Sequence, residues 1–186
     1  MSGAGKSTVC GIFVLKGFTV IDCDGISRET ARNRDFLSEL QSRFPENLLR
    51  EDGVLDRELT ARAIFNDGAK LRLYDRIIFP YIVYEIMMKI RSARSDVILD
   101  APTLFDSGLD IICGKIVGVT SSRGLCAERI MLRDGITKEK ALERLSVQRG
   151  EEFFRERCDY IIENNGKLSD ITESAGQIAD KLKGIL

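Results

Sequence analysis

Apolar and polar positions follow two different rhythms along the chain. In some stretches the apolar residues recur at steps of three and four, which is the spacing of one helix face. In others, short runs rich in β-branched residues indicate buried strands. The predicted helices cover residues 5–16, 35–44, 56–65, 70–90, 124–133, 137–148 and 168–185, and the predicted strands cover 18–21, 97–99, 115–120 and 160–162. This order predicts an α/β fold with a parallel sheet that binds ligands at the carboxyl ends of its strands.

The length of the chain, 186 residues, favours one domain with its own core. The helical stretch at approximately residues 25–95 is too long for a single crossover between parallel strands. We therefore expect part of it to form a helical region that grips a substrate. Pro80 lies in the last predicted helix of this stretch and is expected to kink or restart that helix.

Charge and composition narrow the classes of partner. Lysine and arginine (28) nearly balance aspartate and glutamate (29), so no overall basic field favours nucleic acid or anionic lipid. No apolar run approaches the roughly 20 residues that cross a bilayer, and no apolar secretory signal follows Met1. The five cysteines form no C-x-x-C pair, which disfavours a disulfide framework and a zinc site. We expect a cytoplasmic protein without nucleic-acid or membrane partners.

A glycine-rich segment at the start of the chain carries the most specific motif. Residues 2–8 read SGAGKST, the carboxyl-terminal part of the phosphate-binding loop G-x-x-x-x-G-K-[ST]. In such a loop, successive backbone N–H groups turn toward phosphates, and the following helix presents its positive end. Lys6 is predicted to reach the β- and γ-phosphates of ATP, and the Ser7 hydroxyl to bind Mg²⁺. The alternative is a glycine-rich turn that only precedes a helix. The predicted nucleotide-binding residues are Gly3, Ala4, Gly5, Lys6, Ser7 and Thr8.

Acidic residues at strand ends are the candidates for proton transfer, because the sequence contains no histidine. Asp24 follows the first predicted strand, where a carboxylate can accept the proton of an acceptor hydroxyl or orient it for in-line attack. The alternative for Asp24 is to cap a turn. Asp22 is either a solvated neighbour or a group linked to Mg²⁺. Asp100 ends the second predicted strand and lies either near the water shell of the metal or at a strand-end cap.

Taken together, these segments resemble the dephospho-coenzyme A kinase family over almost the entire chain. The phosphate loop of the family is matched by Gly3 to Thr8, and its V-I-D-A-D segment by residues 20–24. The other matching segments are 52–57 (DGVLDR for D-G-x-L-D-R), 100–109 (DAPTLFDSGL, with Asp106 in place of the usual glutamate), 129–148 and 158–166 (CDYIIENNG for A-D-x-x-I-x-N-x-G). Each segment is weak alone, but all of them occur in the order of the family.

The resemblance implies a parallel-sheet P-loop kinase fold of the nucleoside-monophosphate-kinase type. It also implies transfer of the γ-phosphate of ATP to the ribose 3′-hydroxyl of dephospho-CoA, with Mg²⁺ bridging the phosphates. The single kinase domain, residues 1–186, would bind the acceptor through approximately residues 25–95 and close a lid formed by approximately residues 124–150. Two other functions stay open: another small-molecule or nucleotide kinase of this architecture, and a nucleotide-binding protein without turnover.

The resemblance also implies which residues act in the reaction. Lys6, Asp24 and Arg133 are the expected catalytic residues. Arginines of the lid would neutralise the charge that spreads onto the transferred group. A solvated helix face is the alternative for Arg133, and also for Arg129 and Arg144, since all three lie in a charge-rich region.

The chain departs from the family pattern at two places. Phe79-Pro80 stands where the family usually carries His-Pro, so an apolar ring replaces a polar group near the expected acceptor site. The first glycine of the phosphate loop, and the central strand that usually launches it, would fall before Met1. We therefore expect an amino-terminal truncation and a sheet without its central strand. The strands near 97–99 and 115–120 would then flank this gap without pairing with each other.

Overall fold

A computed structural model describes residues 2–184 of the chain, without the side chain of Phe65. The strands are β1 (Thr19–Asp22), β2 (Val97–Asp100), β3 (Val117–Thr120) and β4 (Tyr160–Glu163). The helices are α1 (Lys6–Leu15), α2 (Cys23–Thr30), α3 (Arg34–Arg43), α4 (Arg57–Phe65), α5 (Gly68–Ser92), α6 (Arg123–Asp134), α7 (Lys138–Ser146), α8 (Glu151–Arg157) and α9 (Leu168–Lys183), with a 3₁₀ helix at Leu109–Ile112. Two compact units divide the chain, one formed by residues 1–20 and 94–186 and the other by Ile21–Ala93.

The predicted helices and strands are confirmed, and their ends differ from the prediction by a few residues. The predicted end of the last helix, residue 185, lies outside the described residues. Sequence patterns missed α2 and α8 because both are short and polar, with too few apolar residues to show a period. The predicted restart at Pro80 is wrong, because α5 continues as one helix through this residue. Buried isoleucines on both sides of Pro80, among them Ile77 and Ile82, offset the backbone hydrogen bond that proline cannot donate.

The strands form two separate pairs, β1 with β2 and β3 with β4. β3 and β4 are parallel, with Val117 opposite Tyr160 and Thr120 opposite Glu163, which agrees with the predicted parallel α/β fold. In the part of the chain that the structure describes, β2 and β3 do not pair with each other. This arrangement confirms the prediction that these two strands lack direct pairing.

The core of the first unit lies between α1, α6, α9 and the β3–β4 pair. Its buried apolar residues include Val9 and Phe13 of α1, Ile130 of α6 and Ile162 of β4. They meet the apolar face of α9, where four buried residues have the predicted spacing of three and four: Ile171, Ala175, Ile178 and Leu182. Ala179, which was not predicted, is buried beside them. This packing fixes α1, and α1 in turn fixes the phosphate loop that precedes it.

The second unit, Ile21–Ala93, is helical and has its own apolar cluster. Phe36 is fully buried and contacts the rings of Tyr74 and Tyr81 edge to face, with centroids 6.2 and 5.8 Å away. The hydroxyl of Tyr81 donates to Glu39 at 3.0 Å. α5 is the long helix against which α2, α3 and α4 pack. Within residues 2–184, no helix combines the length and the apolar character needed to cross a bilayer.

Asp159 joins the starts of β3 and β4. Its carboxylate accepts from Lys115 Nζ at 2.7 Å and from the backbone N–H of Ile116 at 2.8 Å. The hydrogen bond from Lys115, followed by that from Ile116, lowers the pKa of the Asp159 carboxyl below its usual value.

We expect Asp159→Asn to lower the melting temperature near neutral pH and to lessen its fall in acid. A carboxyl whose pKa is lower in the folded chain than in the unfolded chain, about 3.9, stabilises the fold above that value. It loses this contribution as the pH falls through the folded-state pKa. The difference in melting temperature between wild type and variant should therefore shrink below about pH 4. Thermal melts followed by circular dichroism test this, with Glu156→Gln on α8 as the charge-matched control. A difference that is constant with pH would contradict it.

Candidate active site

The loop before α1 places two glycines in backbone conformations that other residues rarely adopt. Gly3 has a φ of 74° and Gly5 a φ of 98°, both in the left-handed region. Space is also restricted: a Cβ on Gly3 would lie 2.6 Å from the carbonyl oxygen of Cys126, and one on Gly5 would lie 2.2 Å from Asn164 Nδ2. Conformation and close packing therefore both require glycine at these positions.

Side chains from behind the loop donate hydrogen bonds to its carbonyl groups. Arg129 NH1 donates to Gly3 O at 3.2 Å. Asn164 Nδ2 donates to Ala4 O at 2.8 Å. These two donors come from α6 and from the residue after β4, so tertiary contacts fix the orientation of the loop peptides.

The orientation of the carbonyl groups determines where the N–H groups point. In a trans peptide, the N–H points opposite to the carbonyl of the same peptide unit. The N–H groups of Ala4 and Gly5 therefore point away from the two side-chain donors. Gly5 O accepts from the N–H groups of Thr8 and Val9 at 3.0 and 3.3 Å, which orients the N–H of Lys6 in the same way. Such a series of N–H groups at a helix start binds anions.

Lys6 forms an ion pair with Asp100, the last residue of β2. The side chain of Lys6 is 35% exposed and that of Asp100 is 17% exposed, so the pair is partly shielded from water. Ser7 is exposed in the first turn of α1. From the sequence, Asp100 lies either near the water shell of the metal or at a strand-end cap. The structure adds its ion pair with Lys6 of the loop.

Asp24 and Asp22 lie around the start of α2 in the helical unit. Asp22 is the N-cap of α2, where its carboxylate accepts from Gly25 N–H at 2.9 Å and pairs with Arg28 at 3.1 Å. Asp24 is exposed in the first turn of the same helix. The turn-capping role that the sequence allowed for Asp24 is thus filled by Asp22, and the predicted action of Asp24 as a base stays a prediction.

The arginines of α6 and α7 have different surroundings. Arg129 is half-buried and donates to Ser121 Oγ at 3.2 Å and to Asn164 O at 3.0 Å as well as to the loop, so the solvated-face alternative is wrong for this residue. Arg133 is exposed and donates twice to Asp134, at 2.7 and 2.9 Å. The predicted phosphate contact of Arg133 stays a prediction.

Asp134 binds two arginines of the predicted lid. Arg144 pairs with the same carboxylate as Arg133. The hydrogen bond from Arg133 is the largest cause, and that from Arg144 a smaller one, of a pKa for Asp134 lowered to about 2. The carboxylate therefore stays ionised at neutral pH and holds the end of α6 and the end of α7 together.

The sequence identified no role for Asn164 or Ser121, which lie next to the loop. Asn164 lies within the family-like segment at residues 158–166, and the resemblance gives it no role. Ser121 Oγ donates to Asn164 O at 2.7 Å, and Asn165 accepts from Ser122 N–H at 2.7 Å. Ser121 directly follows β3, and Asn164 directly follows β4. Because the carboxyl ends of paired parallel strands lie side by side, these positions could have suggested a shared site.

A family model for dephospho-CoA kinase matches residues 2–170 of the chain. Among curated proteins, the dephospho-CoA kinase of Bacillus licheniformis is 31% identical, with coverage of 98% of this chain and 93% of the relative. That of Fusobacterium nucleatum is 30% identical, with 96% and 93% coverage.

Solved structures show the same likeness. The crystal structure of TT1252 from Thermus thermophilus has a TM-score of 0.84 at 29% identity and covers 100% of this chain and 94% of its own. A structure of dephospho-CoA kinase from Campylobacter jejuni has a TM-score of 0.69 at 25% identity, with 98% and 94% coverage. With the parallel β3–β4 pair and the glycine loop before α1, these matches support the P-loop kinase fold. The chain belongs to the dephospho-CoA kinase family.

Proposed function

We propose that this protein transfers the γ-phosphate of ATP to the ribose 3′-hydroxyl of dephospho-CoA, which gives coenzyme A and ADP. The observation that supports it most is the anchored loop from Gly3 to Lys6, whose N–H groups are oriented for an anion. The family match over residues 2–170 supports dephospho-CoA as the acceptor. Transfer is direct and in line, since phosphoryl transfer needs mainly positioning and charge stabilisation.

The proposed ATP site contains two kinds of positive group: backbone N–H groups, which are fixed, and the side chain of Lys6, which can change its partner. The N–H groups of the loop and the start of α1 bind the β- and γ-phosphates. Lys6 pairs with Asp100 in the structure, and the triphosphate of ATP competes for this lysine as a stronger anion. Asp100 therefore keeps the lysine near the loop until the nucleotide binds.

Mg²⁺ fits the donor set beside the loop. Among the described residues, no group of three or more cysteine, aspartate or glutamate side chains could hold a metal by itself. Mg²⁺ in kinases usually takes one or two protein oxygens together with substrate phosphates. The exposed hydroxyl of Ser7 supplies one such oxygen in our proposal. When bound, the ion neutralises charge on the phosphates.

In our proposal, Asp24 and Arg133 have different roles in the transfer. Asp24 is exposed and accepts the proton of the acceptor hydroxyl, or orients that hydroxyl for attack. Arg133 exchanges its contact with Asp134 for the phosphate, where its planar fork binds two oxygens at once. Arg133 lies on α6, in the proposed lid at approximately residues 124–150.

The acceptor site lies in the helical region at approximately residues 25–95, within one kinase domain that comprises residues 1–186. Phe79, which stands in place of the family histidine, is 37% exposed on α5. An exposed ring can pack against an apolar part of the acceptor, but it cannot exchange a proton. The proton-transfer role therefore rests on a carboxylate in this protein.

We also propose a cytoplasmic location. Cys113, Cys126 and Cys158 are free thiols, and burial raises the pKa of all three. Free thiols fit a reducing compartment, and a raised pKa keeps them protonated and unreactive.

Lys6→Ala should lower kcat/KM by at least about 10²-fold, because one preorganised donor to the transferred phosphate is lost. Lys16→Ala is the matched control, since Lys16 lies just after α1 and also pairs with an aspartate, Asp180, at 2.7 Å. Steady-state assays with ATP and dephospho-CoA measure the effect. Normal turnover in Lys6→Ala would remove the phosphate-loop assignment.

Asp24→Asn should lower kcat by roughly 10²- to 10⁴-fold with little change in ATP affinity. Asparagine keeps the shape of the side chain but cannot accept the proton. Asp35→Asn is the control, because Asp35 occupies the corresponding place in the first turn of α3. If ATP affinity alone falls, Asp24 serves the metal or the structure instead.

A panel of acceptors tests the substrate assignment. With adenosine, nucleoside monophosphates, shikimate and dephospho-CoA offered separately, we expect the highest kcat/KM for dephospho-CoA. Preference for another compound would indicate a different kinase of the same architecture. Binding of ATP without turnover of any of them would indicate a nucleotide-binding protein.

A further inference from the structure

Asn164 connects four chain segments at one point behind the phosphate loop. Its backbone N–H donates to Thr120 O at 2.8 Å, and its backbone O accepts from Ser121 Oγ at 2.7 Å. Its side-chain Nδ2 donates to Ala4 O at 2.8 Å, and its Oδ1 accepts from Arg129 NH2 at 3.3 Å. The backbone contacts hold the residue at the end of β4, and the side-chain contacts reach the loop.

The chemistry of these contacts selects an asparagine. The carbonyl of Ala4 requires a donor, and the guanidinium of Arg129 requires an acceptor. A carboxamide supplies one of each in a fixed plane, so its orientation is set by its partners. A carboxylate at this position would turn an oxygen toward the carbonyl of Ala4 and repel it.

The loop is shaped to receive this amide. The Nδ2 atom lies only 2.2 Å from the place where a Cβ on Gly5 would be. Ala4 is fully buried, so its carbonyl would lose a partner that water replaces poorly if the amide were removed. The peptide between Ala4 and Gly5 could then rotate, since glycine accepts both signs of φ. Rotation would turn the N–H of Gly5 away from the phosphate side.

We propose that Asn164 is a positioning residue for ATP: its side-chain amide holds the Ala4–Gly5 peptide with the N–H toward the phosphates and thereby prepares the loop before the nucleotide arrives. This inference rests on the proposed binding of ATP to the loop. Asn164 acts through the loop backbone and does not touch the reacting atoms in this role.

Two variants and one control test the role of the amide. Asn164→Ala removes both side-chain hydrogen bonds, and Asn164→Asp keeps the shape and the acceptor for Arg129 but removes the donor to Ala4. Asn165→Ala is the matched control, because Asn165 is the neighbouring asparagine and its Oδ1 accepts from Ser122 N–H and Ser121 Oγ instead. Affinity for magnesium ATP is measured by calorimetry, and KM for each substrate by steady-state kinetics.

We expect both Asn164 variants to bind ATP about tenfold more weakly, which is the effect of about one buried hydrogen bond. KM for ATP should rise while KM for dephospho-CoA stays unchanged, a split that a general loss of stability would not produce. Asn165→Ala should bind ATP as the wild type does, even if its melting temperature falls. Because Asn164→Asp is isosteric, it decides the question if Asn164→Ala does not fold.

Three results would overturn the inference: wild-type affinity in Asn164→Asp, an equal loss of affinity in Asn165→Ala, or failure of Asn164→Asp to fold, since this would assign the amide to stability. Failure of the wild-type protein to bind ATP is a different result, because it would overturn the proposed function itself.

Discussion

The phosphate loop can bind an anion only while its carbonyl groups are held on the opposite side. A peptide unit carries its carbonyl and its N–H in opposite directions, so donors for the carbonyls decide where the N–H groups point. In this protein Arg129 and Asn164 supply those donors to Gly3 and Ala4. Gly3 and Gly5 allow the loop its left-handed backbone conformation. Ala4 is buried against the donors, and the end of β4 places Asn164 beside it.

The whole chain is nearly neutral, with 28 basic and 29 acidic residues. An anionic ligand must therefore be attracted by positive groups close to its binding site. Two of the predicted catalytic cations are paired with an acid in the structure. Lys6 pairs with Asp100, and Arg133 pairs with Asp134. Such pairing keeps flexible cations close to the site and limits their repulsion in the absence of an anion. In the proposed function, the triphosphate of ATP replaces these partners as a stronger anion.

The chain divides into two compact units of different composition. Residues 1–20 and 94–186 contain the loop, the β3–β4 pair and the helices that support them. Ile21–Ala93 is helical and starts with the acids that surround the beginning of α2. β1 ends at Asp22, so the carboxylate proposed as the base, Asp24, lies two residues after the end of this strand.

The sequence by itself determined the local structure and the family. Apolar residues at steps of three and four predicted α1 and α9, because one face of each helix is buried, and short runs rich in β-branched residues predicted the strands. The glycines and Lys6 predicted the loop, because left-handed backbone conformations and phosphate contacts restrict residue types within a few positions. Resemblance to a family over almost the entire chain predicted the acceptor.

Tertiary structure alone decided which distant groups support the loop. Asn164 and Arg129 are 160 and 126 residues away from the loop residues to which they donate, and the family-like segment that contains Asn164 does not indicate which distant group it contacts. The pairing of Lys6 with Asp100 likewise depends on the packing of β2 against α1. Side-chain contacts between distant segments are set by packing, and no local pattern in one sequence records them.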